Sequence, residues 1–306
     1  MPGMSLPESA RSSAKGIYLA RVLSNASVCR EHYRFVLEAE DFPDARPGQF
    51  LQILCRDPAD QSWSGGAFIR RPFSIGGLRR KGRRAEIDII HRVLGPGTRW
   101  LADLKPDDAV SILGPQGKPF TIAADRPVAY LVGGGVGLPP ILWLAEAVRQ
   151  AGRRAIAFCG ARTADLLPLS RRPEQAVRLG EPALVLEEFA RFGAPAVVCT
   201  DDGSLGIRGM IPEVFERYIE GHRQEAASAA AYTCGPEAMM RAVARICQKH
   251  GLPCQVCMER MMACGMGTCQ SCVVPIRDAG DPAGWRYKLC CTDGPVFDSR
   301  QVVWDG

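Results

Sequence analysis

A chain of 306 residues exceeds what one hydrophobic core usually organises, so two or three domains are expected. With 46% hydrophobic and 23% charged residues, the composition excludes an intrinsically disordered chain. The net charge of +5 comes as short basic runs such as Arg70-Arg71 and Arg79-Arg80-Lys81 without interleaved aromatics, which argues against a nucleic-acid platform.

Residues 1–15 read as a flexible tail with no apolar core of a secretion signal, so a cytoplasmic location is expected. Residues 16–125 carry short alternating runs such as "HYRFVLEA", "GQFLQILC" and "AEIDIIHRVLG" between Gly/Pro turns, the pattern of an antiparallel barrel. Within it, "RPFSI" places Arg71 and Phe73 on one face of a strand and Ser74 on the other. Such a strand could grip a phosphate with its arginine while Phe73 and Ser74 meet a flat ring, although an ordinary edge strand could look the same. In "LGPGTRW", Gly97 and Thr98 stand at an expected helix start, where free N–H groups favour a pyrophosphate.

From residue 126 to 250 the texture becomes buried strands alternating with helices, including "PVAYLVGG", "RRAIAFCGA", "PALVLEE", "PAVVCTDDG" and "AAYTCGP", which predicts a parallel sheet covered on both faces. The uncharged stretch Val128 to Ala145 contains three consecutive glycines and two prolines, so a strand, a loop and a helix are expected there and no membrane span. The glycines Gly134, Gly135 and Gly137 of "GGGVGLPPI" suit a backbone that approaches phosphates, yet Pro140 stands where a dinucleotide fingerprint has its last glycine. No acidic residue ends the second strand, and Arg162 with Arg171-Arg172 leaves the choice between NAD and NADP open. Cys234-Gly235-Pro236 falls at a strand's carboxyl edge, the side where such sheets bind ligands, and Cys234 taken alone also suits a buried structural thiol.

Residues 251–306 hold the densest cysteines of a chain with thirteen. Cys264, Cys269 and Cys272 are spaced C-x4-C-x2-C, the plant-type [2Fe–2S] spacing, with a fourth ligand required downstream at Cys290 or Cys291. Zinc is the rival, but its sites favour two short knuckles and this tail has one long hook with a single return. Cys254 and Cys257 form another C-x2-C for which a structural role is expected.

The order of "RPFSI", "GGGVG", "CGPEAMM" and the cysteine hook resembles the ferredoxin–NADP reductase superfamily with a C-terminal [2Fe–2S] domain. Through "TDDGSLGIRG", "ERMMACGMGTCQSC" and "CTDGPVF" the chain more closely resembles the family of electron-transfer subunits of two-component, NAD-dependent dihydroorotate dehydrogenases, over about residues 16–300. The resemblance implies FAD at Arg71, Pro72, Phe73, Ser74, Ile90, His91, Arg92, Gly97 and Thr98, and a cluster on Cys264, Cys269, Cys272 and Cys291. It places Ser74 near the flavin N5 and Cys234 near the nicotinamide of NAD, and gives Asp201-Asp202 a loop-shaping role. It also implies an FMN-containing catalytic partner in a heterotetramer of two subunits of each kind, with electrons flowing from dihydroorotate toward NAD+ in pyrimidine biosynthesis. Similar architectures serve other flavoenzymes, hydrogenases and transhydrogenases, and a redox sensor or zinc protein is the non-enzymatic alternative.

Overall fold

The computed structural model describes residues 16–59, 67–173, 175 and 180–304. The expected N-terminal tail, residues 1–15, lies outside them.

Seven antiparallel strands form the first unit: β1 (Gly16–Cys29), β2 (His32–Glu40), β3 (Phe50–Ile53), β4 (Arg71–Ser74), β5 (Gly77–Lys81), β6 (Arg84–Arg92) and β7 (Ala109–Gln116). Their order is β4-β3-β7-β1-β2-β6-β5, and among the described residues no ladder joins the outer strands β4 and β5. The inward faces nevertheless enclose one core, because alternate residues of each long strand are apolar: Val22, Phe35, Leu37, Leu51, Ile53, Ile87, Ile89 and Ile112 are all at most 1% exposed. Helix α1 (Pro96–Asp103) follows β6, two residues ahead of the Thr98 start expected from sequence, with Gly95 as its N-cap.

The second unit is a seven-stranded sheet in the order β11-β10-β9-β8-β12-β13-β16. It comprises β8 (Val128–Gly134), β9 (Arg154–Ala161), β10 (Ala196–Thr200), β11 (Ile207–Arg208), β12 (Ala229–Cys234), β13 (Cys254–Cys257) and β16 (Val296–Asp298), with β16 alone antiparallel to its neighbour. All seven residues of β8 are buried, as a strand covered on both faces must be. One cover is α2 (Leu138–Gln150) with the short α3 (Glu187–Ala190). The other is α4 (Ile211–Gly221) and α6 (Glu237–Lys249), with the single turn α5 (Arg223–Ala226) between them. The segment "PALVLEE" forms no strand: it makes isolated bridges at Ala183 and Leu186 and then turns into α3. Its apolar residues Val185 and Leu186 are buried against α2 instead, a burial that an apolar run alone cannot distinguish from a strand's.

The cysteine-rich tail starts and finishes inside this sheet, as β13 and β16, and between them it adds the hairpin β14 (Val273–Arg277) and β15 (Trp285–Leu289). No helix of the described residues is long and apolar enough to cross a membrane.

Candidate functional site

The register of β4 on β3 sets which way each side chain of "RPFS" faces. Arg71 pairs with Ile53 and Phe73 with Leu51, both core residues, whereas Pro72 pairs with Gln52 and Ser74 with Phe50. Cross-strand partners share a face, so Ser74 and Pro72 lie on the outer side of β4 with Phe50 and Gln52. The two arginines ahead of the strand divide their work. Arg70 is tied into the barrel, donating to the Ser111 carbonyl and hydroxyl, both at 2.8 Å. Arg71 is exposed and, among the described residues, donates only to the Ile69 carbonyl at 3.1 Å and forms no ion pair with a carboxylate. Its charge is therefore available to an anion.

His91 is 2% exposed and neither ring nitrogen has a hydrogen-bond partner among the described residues. Its ring stacks on Tyr33 at 5.9 Å and meets the edge of Phe73 at 6.0 Å. Burial pushes its imidazole down to about 4, so at neutral pH it offers one donor and one acceptor beside the flavin strand. Ile90 and Arg92 face the other way, and Arg92 is held by Glu31 through two bonds of 2.9 and 2.7 Å. At α1 the Thr98 hydroxyl accepts from the Leu94 and Gly95 amides, and among the described residues the N–H groups of Gly97 and Thr98, at a helix start, have no backbone acceptor. An orphaned buried imidazole, an uncommitted arginine and a free helix start fit a ring linked to a pyrophosphate. We expect Arg71→Ala to weaken FAD retention about 10- to 100-fold, the worth of hydrogen bonds to a charged group, as read by flavin fluorescence on dilution.

The glycine turn joins β8 to α2 as a single 3-10 turn, Gly135–Gly137. A Cβ on Gly137 would stand 2.2 Å from the Cys234 carbonyl oxygen, and one on Gly134 would stand 2.8 Å from the Met239 sulfur. The turn therefore lies directly on the Cys234-Gly235 edge of β12, with Cys234 opposite Gly133 in the ladder. Strand order reverses between β8 and β12, so this is the crevice where open parallel sheets take ligands. Pro139 and Pro140 occupy the first turn of α2, where a missing N–H costs nothing, and so backbone donors to a phosphate must come from the glycine turn itself. Asp202 shapes the neighbouring loop: its carboxylate accepts from the Ser204 amide and hydroxyl, and the Ser204 oxygen accepts from Ala164 N–H.

In the hook, thiols come in pairs. The Met266 and Cys269 amides both donate to Cys264 Sγ at 3.4 Å, and the Cys291 amide donates to Cys272 Sγ at 3.4 Å. The Ser271 hydroxyl, 3.2 Å from Cys269 Sγ, with the Ser271 backbone and Cys264, holds the Cys269 thiol down to about 6. Burial, and then contact with Cys272, pushes Cys291 up to about 12. A [2Fe–2S] cluster asks for two thiolates on each of two irons, and the residues fit it: Cys264 with Cys269, Cys272 with Cys291. Tetrahedral zinc would gather all four sulfurs within about 3.8 Å of one another. Among the described residues the three-ligand group within 4.8 Å is Glu216, Glu220 and His250, not the cysteines, and there Lys249 Nζ already stands 2.7 Å from Glu216. Cys290 is 0% exposed and donates its thiol to the Met258 carbonyl at 3.4 Å, away from the hook. Of the two candidates for the fourth position, Cys291 is the one that meets the Cys272 thiol, whereas Cys290 donates its amide to the Cys272 carbonyl at 2.8 Å.

The three parts meet around β3 and β4. Gly76, just beyond Ser74, would touch Pro139 in the first turn of α2 at 3.1 Å if it carried a Cβ, and Gly265 of the hook lies against Gln52. Cys257, opposite Cys234 in the ladder, donates its thiol to the Gly48 carbonyl at 3.8 Å. Sequence patterns did not single out Gln52, although a lone amide in the apolar run "FLQILC" was a visible signal.

Residues 259–303 match the model of the iron–sulfur cluster binding domain of dihydroorotate dehydrogenase B, and residues 42–119 match that of the siderophore-interacting FAD-binding domain. The chain therefore carries an FAD-binding domain and a cluster-binding domain. Among solved structures, an NADH-dependent reduced ferredoxin–NADP oxidoreductase superposes with a TM-score of 0.71 at 23% identity, covering 100% of this chain and 92% of the other, a likeness of fold. Curated relatives named dihydroorotate dehydrogenase B (NAD(+)), electron transfer subunit, include one from Desulforamulus reducens, 31% identical over 94% of this chain and 99% of its own length. Another, from Caldanaerobacter subterraneus, is 32% identical over 93% of this chain and 98% of its own. With identity of this level running end to end through barrel, nucleotide sheet and cysteine hook, the chain belongs to the family of dihydroorotate dehydrogenase B electron transfer subunits.

Proposed function

We propose that this chain exchanges electrons between NAD and a separate FMN-containing dehydrogenase that oxidises dihydroorotate in pyrimidine biosynthesis, as one component of a heterotetramer in the cytoplasm. The observation that carries the reading is the meeting of flavin strand, nucleotide turn and cysteine hook around β3 and β4. Thirteen cysteines without a disulfide suit a reducing compartment. When bound, FAD takes two electrons as hydride or one at a time and the [2Fe–2S] cluster takes one, which lets a nicotinamide serve a one-electron path.

Each residue has a role that follows from its place. Arg71 and the N–H groups of Gly97 and Thr98 anchor the flavin's pyrophosphate, and His91, neutral and buried, supplies a fixed donor and acceptor beside Phe73. Ser74, on the outer face of β4, would offer its hydroxyl to the flavin as a hydrogen-bond donor. Gly134, Gly135 and Gly137 let the nucleotide's phosphates reach the backbone, and Cys234 at the end of β12 borders the nicotinamide and excludes water there. Cys264, Cys269, Cys272 and Cys291 hold the cluster.

The test is anaerobic assay of the chain with and without the organism's catalytic dihydroorotate dehydrogenase subunit. Alone it should oxidise NADH with ferricyanide and leave dihydroorotate untouched; with the catalytic subunit, dihydroorotate should reduce NAD+. Oxidation of dihydroorotate by the isolated chain, or a stable complex without that activity, would reject the assignment.

A further inference from the structure

Gln52 is the polar residue in the middle of β3, and it is 0% exposed. Leu51 and Ile53 on either side point into the barrel core, so Gln52 points outward, and what covers it there is the cysteine hook. Its Nε2 donates to Met262 Sδ at 3.6 Å, and a Cβ on Gly265 would fall 2.4 Å from Nε2. Gly265, at φ +70°, directly follows Cys264, so the glycine lets the hook settle on the carboxamide. In the other direction Gln52 is the cross-strand partner of Pro72, between Arg71 and Phe73 of the flavin strand.

The energetics of this side chain are unusual for a structural residue. Burying an amide is unfavourable unless both ends are bonded, yet a thioether is a weak acceptor and Gln52 Oε1 has no partner among the described residues. A methionine of similar volume would fill the same space without that cost. The polarity therefore serves something besides packing, and the group it touches is the loop carrying Cys264 and Cys269.

We propose that Gln52 is a positioning residue that sets the reduction potential of the cluster, its carboxamide N–H groups giving the hook a donor from the flavin-bearing barrel. This rests on the cluster reading above. A cluster gains negative charge on reduction, and an amide that turns its N–H end toward the ligand loop at Met262 and Gly265 stabilises that charge, so the amide raises the potential. One side chain then links the environment of the cluster to the strand that holds the flavin.

The test is an anaerobic potentiometric titration of the full chain, wild type, Q52M and Q52E, with the reduced cluster followed by electron paramagnetic resonance and the flavin by absorbance in the same samples. Q52M keeps the volume and removes the donor, and should make cluster reduction about tenfold less favourable, ~59 mV for a one-electron couple, with the flavin midpoint unmoved. Q52E keeps the shape and replaces the donor with an acceptor, so it should shift the cluster in the same direction and gives the reading should Q52M fail to fold. Cluster midpoints equal to wild type in the folded variants would overturn the proposal, as would a shift confined to the flavin. A wild-type chain with no reduced-cluster signal would instead reject the cluster reading itself.

Discussion

Cys291→Ala is expected to leave the chain without iron or acid-labile sulfide, while Cys290→Ala retains both. The two neighbours lie in the turn that follows β15 and differ in which way it points them. Cys291 presents its amide to Cys272 Sγ and completes the second thiol pair, whereas Cys290 Sγ is buried against the Met258 carbonyl, where burial raises its pKa. A cluster with three thiolates loses one iron's anchoring, and metal binding here is coupled to the folding of the hook, so the effect is near-complete loss. Iron and sulfide analysis of the two variants decides it. Retention in Cys291→Ala with loss in Cys290→Ala would mean that the return turn is read one residue out of register.

The second large effect is at Gly137. Its missing Cβ is what allows the turn after β8 to touch the end of β12, since an added methyl would stand 2.2 Å from the Cys234 carbonyl oxygen and 2.5 Å from Gly235 N. Backbone lines that contact on both sides, and neither can yield as a side chain could. Gly137→Ala should displace the turn by enough to cost about 100-fold in kcat/KM for NADH, the scale of a 1 Å misplacement. Flavin and cluster absorbance should be unchanged, because among the described residues no hydrogen bond joins Arg71 or the hook cysteines to the turn. A variant with normal NADH kinetics would remove this turn from the nucleotide site.

What the sequence revealed divides by range. The cluster hook was legible because its chemistry is local: three ligands lie within nine residues, Cys264 to Cys272, and their spacing is itself the geometry. Strand-helix alternation was legible for the same reason, as was the split between Arg71 and Phe73 on one side and Ser74 on the other. The choice between Cys290 and Cys291 could not be made from spacing, since adjacent residues differ only in the direction the turn points them. Gln52 showed only as a lone amide in an apolar run, because its significance lies in Gly265, more than two hundred positions away. "PALVLEE" misled because burial under α2 calls for the same apolar residues as a strand.

Both ends of the cysteine segment are rungs of the nucleotide sheet: β13 pairs with β12 on one side and β16 on the other. A shuttle that carries electrons by swinging needs a slack tether, and this chain has none between the sheet and its hook. The thiols are a fixed terminal, their separation from the glycine turn set by ladder spacing and not by diffusion of a tethered arm. Electrons that leave this chain then pass through a rigid terminal to a subunit already seated on it, so raising solvent viscosity should leave the rate of that transfer unchanged within the proposed heterotetramer.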